Sequence, residues 1–232
     1  MARADNGASL RNRLAVALDV DDLVVALRLA HRVSPWFGVA KVGLELFTAA
    51  GPEAVSGLAG AGFQVMLDLK LHDIPTTVGR AARVAGALGA QYLTVHAFGG
   101  QSMLRAAVEG MALGAGAAGL PAPTVLAVTV LTSDSDAPPH ILGKRVQAAL
   151  EAGCGGIVCA AEDVREAKQL APRLFTVVPG IRPEGTNPHD QARSATPRAA
   201  LDAGADLLVV GRPVTQAQDP AHAAAALASS LL

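Results

Sequence analysis

The segment Asp68-Leu69-Lys70-Leu71-His72-Asp73-Ile74-Pro75 sets three charges of alternating sign within six residues, at the end of an apolar run that begins at Gln64. If residues 65–71 are extended, side chains alternate, so Asp68 and Lys70 share one side while Leu67, Leu69 and Leu71 face the other. One face then carries an ion pair and the other carries core. An ammonium held in place offers a fixed positive charge opposite a developing negative one, and a proton to quench it. A lone D-x-K is more ordinarily a solvated salt bridge near a sheet edge, worth little. Its meaning depends on what else the chain places beside it.

Short β-rich runs alternate with Ala-rich segments of helical length, and the alternation repeats eight times without a linker. The pattern predicts strands at 14–18, 39–42, 64–69, 92–95, 124–130, 156–159, 175–178 and 207–210. Most are nearly continuously apolar, as parallel strands covered on both faces must be. Helices are expected near 21–33, 52–60, 75–88, 100–113, 140–151, 162–170, 196–202 and 219–231, each long enough for a crossover. Gly62, Gly89, Gly153 and Gly204 stand where helices should close. Eight such units predict a single (β/α)8 TIM barrel of the α/β class, since an open doubly wound sheet usually has fewer strands and a G-x-G-x-x-G turn, and no such turn is expected here.

With 232 residues and 51% hydrophobic content the chain can bury one large core, expected over 13–232. Residues 1–12, containing Arg3, Asp5 and Arg11 but no long apolar run, read as a disordered leader and resemble neither a signal peptide nor a membrane anchor. A formal net charge of -1 gives no general pull toward nucleic acid or an anionic membrane, so neither is expected as a partner. Cys154 and Cys159 would bracket one short strand, too far apart to bridge within it; both read as reduced, in a cytoplasmic protein. The six histidines are scattered and neither C-x-x-C nor H-E-x-x-H spacing occurs, so no structural zinc site is expected.

Reactive groups of such a barrel belong at the C-terminal ends of its strands. Asp19 ends the first strand, Lys41 the second, Asp68 and Lys70 the third and His96 the fourth. Thr132 and Ser133 follow the fifth, Pro179-Gly180-Ile181-Arg182 the seventh and Gly211-Arg212 the eighth. So many polar residues on one rim remove the ground for an isolated surface salt bridge. A Gly-Arg pair alone is weak evidence, but two on adjacent strands predict a phosphate cradle: the glycines admit close backbone approach and Arg182 and Arg212 present forked donors. The substrate is expected to be a phosphate monoester. The stretch 182–193 is long for a barrel loop and is expected to close over that phosphate, with Gln191 reaching it; without a phosphate, Gln191 is a solvated loop residue.

These residues carry a resemblance. L-A-V-A-L-D at 14–19, K-V-G-L-E-L-F at 41–47, D-L-K-L-H-D-I-P-T-T at 68–77, P-G-I-R at 179–182, D-Q at 190–191 and V-G-R-P-V-T at 210–215 occur in the order found in the orotidine 5'-phosphate decarboxylase family, bacterial type. The chain resembles that family over about 13–220, and D-x-K-x-x-D-I-P-x-T is highly specific among barrels. It departs from the family only in the leader and in the Pro-rich stretch Ala137-Pro138-Pro139.

The resemblance implies decarboxylation of orotidine 5'-monophosphate to UMP, in pyrimidine biosynthesis, without a cofactor or metal. By the same carry-over Lys70 is the acid within an array of Lys41, Asp68, Lys70 and Asp73. Asp19 and Lys41 hold the ribose, Thr132 lies by the pyrimidine, and Arg182, Gln191, Gly211 and Arg212 hold the phosphate. It also implies a homodimer in which Asp73 and Thr77 enter the partner's site. Two other readings remain: a magnesium-dependent hexulose-phosphate synthase or keto-gulonate-phosphate decarboxylase of the same superfamily, and a catalytically silent barrel that binds phosphometabolites. The first would carry a glutamate where Lys41 stands, and the second is expected to have lost members of the array. His72 should point away from Lys70 as a packed or interface residue, and His96 borders the pocket or serves structure.

Overall fold

The structure is a computed structural model and describes residues 10–131, 138, 140–183 and 193–232. Eight parallel strands close on themselves in sequence order: β1 Leu14–Ala17, β2 Val39–Val42, β3 Gln64–Leu71, β4 Tyr92–His96, β5 Thr124–Val128, β6 Gly156–Val158, β7 Phe175–Val178 and β8 Leu207–Val210. Closure is direct, with Ala15 opposite Val209 as well as opposite Val39. The TIM barrel expected from the eightfold alternation is therefore present.

Ten α-helices lie wholly among the described residues, beside two short 3-10 turns: α1 Leu23–Val33, α2 Leu44–Ala50, α3 Pro52–Gly60, α4 Pro75–Ala87, α5 Gly100–Ala117, α6 Ile141–Ala152, α7 Val164–Leu170, α8 Pro197–Asp202, α9 Arg212–Thr215 and α10 Pro220–Ser229. Their starts are written locally. The Asp22, Thr196 and Asp219 side chains accept from the first-turn N–H groups of α1, α8 and α10, the ordinary cap chemistry. Gly62, Gly89, Gly153 and Gly204 all have positive φ, between 80° and 105°, where a residue with a side chain is strained. The helices α2 and α9 were not expected. Gly114-Ala115-Gly116-Ala117-Ala118-Gly119 spells G-x-G-x-x-G, but it ends a helix instead of opening one after a strand, so no dinucleotide turn results.

Strand parity divides the core. Ala15, Ala17, Val39, Met66, Leu126, Val128, Val158, Val177, Leu207 and Val209 fill the barrel interior, while their alternating neighbours, such as Leu14, Val16, Leu67 and Leu208, pack outward against the helices. Tyr92 and Phe175 stack inside the barrel with ring centroids 5.8 Å apart. Leu10 joins the outer core and the Arg11 carbonyl accepts from Gly38 N at 2.7 Å. The rest of the expected leader, 1–9, lies outside the described residues.

Candidate active site

The parity that fills the barrel with apolar side chains at its base places charge at its mouth. Ala15 and Ala17 lead to Asp19, Val39 to Lys41, Met66 to Asp68, and Val209 to Gly211, each two residues further along the same inward row. These side chains border a cavity of about 690 Å³, a volume suited to a mononucleotide. Its described lining includes Asp19, Lys41, Asp68, Lys70, Arg182, Gly211 and Arg212. The cavity also takes in Glu45 and Gln216, which sequence reasoning missed because both lie on or beside the unexpected helices α2 and α9.

Charge is interlocked along one wall. Lys70 Nζ donates to both Asp68 oxygens at 2.8 and 2.9 Å. Lys41 Nζ lies 2.8 Å from Asp19 Oδ1 and 3.7 Å from Asp68 Oδ2. The Asp68 side chain is only 11% exposed. Burial alone would raise its pKa, but the charges of Lys41 and Lys70 and the hydrogen bonds from Lys70 and Thr94 outweigh it and hold the carboxyl below the ordinary range. Removing either lysine would leave a buried carboxylate short of a partner, the costly case for a buried pair.

Lys70 itself is irregular. It has φ +48°, the one non-glycine residue with positive φ among those described, a conformation costing roughly 1–2 kcal/mol for an L-residue. The register between β3 and β4 slips here: Leu67 faces Leu93, yet Leu71 faces Val95. The extra β3 residues form a bulge, and the Lys70 N–H is taken by the Thr94 hydroxyl at 2.9 Å. That hydroxyl also donates to Asp68 Oδ1 at 2.9 Å. Asp68 and Lys70 meet as expected, but through a bulge that regular alternation along the strand did not predict.

On the opposite side of the closed strand order, β7 and β8 supply cations. Arg182 is buried and donates to the Ile181 carbonyl at 2.9 Å. Ile181 bridges Ala195, so the stretch leaving the barrel at Arg182 returns at the same rim. Gly180 needs glycine, with φ +74°. At Gly211 φ is -111°, and an added Cβ would meet Ala17 Cβ at an ordinary 3.5 Å.

Two expected site residues stand apart from this chain's cavity. Asp73 is exposed and its carboxylate accepts from Ile74 N at 2.6 Å, and Thr77 is exposed on the first turn of α4. Neither borders the cavity. Thr132, Ser133 and Gln191 lie outside the described residues, as do Ala137 and Pro139 of the Pro-rich stretch. His72 is exposed rather than packed, its ring 5.8 Å from His96 and 5.5 Å from Phe98. Cys154 and Cys159 are free and buried, burial pushing each thiol up to about 12, which leaves them chemically quiet. Among the described residues no helix is long and apolar enough to cross a membrane.

The fold and the rim define a TIM barrel with a lysine-aspartate array facing two arginines across a nucleotide-sized cavity. The family described as orotidine 5'-phosphate decarboxylase / HUMPS matches residues 12–227, and the chain belongs to it. It is 50% identical over 230 residues to orotidine 5'-phosphate decarboxylase of Anaeromyxobacter dehalogenans, covering 94% of this chain and 98% of that one. It is 44% identical to the enzyme of the same name from Moorella thermoacetica, covering 95% and 92%. The crystal structure of orotidine 5'-phosphate decarboxylase from Lactobacillus acidophilus superposes with a TM-score of 0.80 at 33% identity, covering 95% and 99%.

Proposed function

We infer that this chain converts orotidine 5'-phosphate to UMP and carbon dioxide, as part of pyrimidine biosynthesis. The observation that carries the reading is Lys70 Nζ fixed on Asp68 at 2.8 Å in the wall of a cavity that Arg182 and Arg212 also border. Breaking the bond between C6 and the carboxylate leaves its electron pair in an in-plane orbital that the ring cannot delocalise. A cation beside C6 stabilises that pair as it forms, and the Lys70 ammonium gives it a proton, leaving C6–H and a neutral amine that solvent reprotonates. Only interactions stronger in the transition state than in bound substrate speed this step, and a preset array meets that condition. Arg182, Gly211 and Arg212, with Gln191, hold the phosphate; Asp19 and Lys41 hold the ribose; Thr132 lies by the pyrimidine.

The family description covers magnesium-dependent relatives as well, but here Lys41 stands where those relatives carry a glutamate ligand, its ammonium 2.8 Å from Asp19 and 3.7 Å from Asp68. An ammonium in that place repels a divalent ion. All described members of the array are intact, which favours an enzyme over a silent barrel. We place the enzyme in the cytoplasm, as a homodimer in which Asp73 and Thr77 complete the partner's site. The exposed Ile74 and Phe98, 65% and 71% accessible beside them at the rim, support such an interface.

The test follows loss of orotidylate absorbance with purified protein. Wild type should turn over with undiminished rate in EDTA, and Lys70→Ala should lose more than about 10³-fold in kcat while still binding UMP. Near-normal kcat in Lys70→Ala removes the assigned acid, and loss of activity in EDTA restores the metal-dependent reading.

A further inference from the structure

We propose that Thr94 is a positioning residue for the decarboxylation, its one hydroxyl fixing both the Lys70 backbone and the Asp68 carboxylate. The proposal rests on the function inferred above.

Thr94 is fully buried on the inward row of β4, two residues after Tyr92. A hydroxyl has one proton to give and lone pairs to accept with. Its neighbours settle the direction: the Lys70 N–H can only donate and the ionised Asp68 carboxylate can only accept. Both contacts are 2.9 Å, so its one proton and one of its lone pairs are engaged at good geometry.

Each contact controls a different coordinate of the array. At the bulge the β4 backbone has slipped out of register with Lys70, so no regular ladder bond holds the left-handed turn that aims its side chain. The Thr94 oxygen takes that place. On Asp68, Thr94 and Lys70 share Oδ1 while Oδ2 is left toward Lys70 and Lys41. Rotation of the carboxylate would break the bond to Thr94. A single buried hydroxyl therefore sets where the ammonium starts and which way its counter-ion faces. Loss of such fixing displaces a reacting group by a fraction of an ångström to an ångström, enough to cost about 10²-fold in rate.

The measurement compares Thr94→Val, Thr94→Cys and Thr94→Ser with wild type in kcat, KM and UMP affinity. Val matches the shape without either hydrogen bond, Cys gives and accepts weakly, and Ser keeps both. Expected kcat falls about 10²-fold for Val and about 10-fold for Cys, while Ser stays within about 3-fold. UMP affinity should move less than about 3-fold throughout, since phosphate and ribose contacts are untouched. A merely structural threonine would lower stability and leave kcat of the folded fraction unchanged. Val within about 3-fold of wild-type kcat overturns the proposal, as does Ser falling as far as Val. If Val fails to fold, the gap between Ser and Cys decides, equal kcat values overturning the proposal. Failure of wild type to decarboxylate orotidylate would sink the parent function instead, and the two failures are read in the same assay.

Discussion

At the scale of single residues, His96 carries a pH dependence that its burial beside the charged rim imposes. Burial holds its pKa below the ordinary imidazole value of 6.5, and electrostatic repulsion from the side of His72, Lys70 and Arg145 pushes the same way, against Asp68. A base whose pKa is depressed by folding binds fewer protons in the native state than in the unfolded one. Its contribution to stability is complete above about pH 6.5 and is lost as pH falls through the native value. Wild-type Tm should therefore decline between pH 7.5 and 5 more steeply than that of His96→Gln. The half-buried ring is partly screened, so the difference should be about 2 °C or less. Parallel Tm curves would remove His96 from this role. Alternation along an apolar strand made the pairing of Asp68 with Lys70 legible in the sequence. Thr94 was not, because a threonine inside a strand normally reports packing, and only a bulge three-dimensionally opposite it gives its hydroxyl two partners.

At the scale of elements, the order of strands and crossovers was legible because a fully covered parallel strand has to be apolar along its whole length. The helices α2 and α9 were not. They are seven and four residues long, too short for a helical period to stand out from strand and loop. The closeness of α4 and α5 was equally hidden. A Cβ at Gly110 would overlap the Gly79 carbonyl, one at Gly114 the Arg83 carbonyl, and one at Gly86 the Met111 carbonyl. These glycines let two helix backbones touch, and their pattern reads in sequence only as weak helix formers. Because α4 begins at Pro75, two residues after Asp73, its seating also sets the end of the charged segment 68–73. Gly114→Ala should force the helices apart and destabilise the fold by about 1–3 kcal/mol or more, read as a shift in denaturant midpoint without change in m. Gly116→Ala, where an added Cβ meets nothing within 4 Å, is the control and should be neutral or slightly stabilising. Equal midpoints for the two variants would show that α4 and α5 have room to spare.

At the scale of the whole molecule, one chain presents a cavity with Lys70 in its wall while Asp73 faces outward, engaged only with its own Ile74 N–H among the contacts described. If the homodimer proposed above exchanges Asp73, each site combines Lys70 of one subunit with Asp73 of the other. Lys70→Ala and Asp73→Ala dimers should then each be inactive, for different reasons. In a mixed dimer one site collects both substitutions and the other collects neither. Random pairing makes half of the dimers mixed, each with one of its two sites restored, so co-refolded equal amounts should recover about 25% of wild-type activity. A site built within a single subunit recovers nothing on mixing, because no chain then holds both residues. Activity no greater than the sum of the two parents would place Asp73 in its own subunit's site, and full activity in Asp73→Ala alone would remove it from the array.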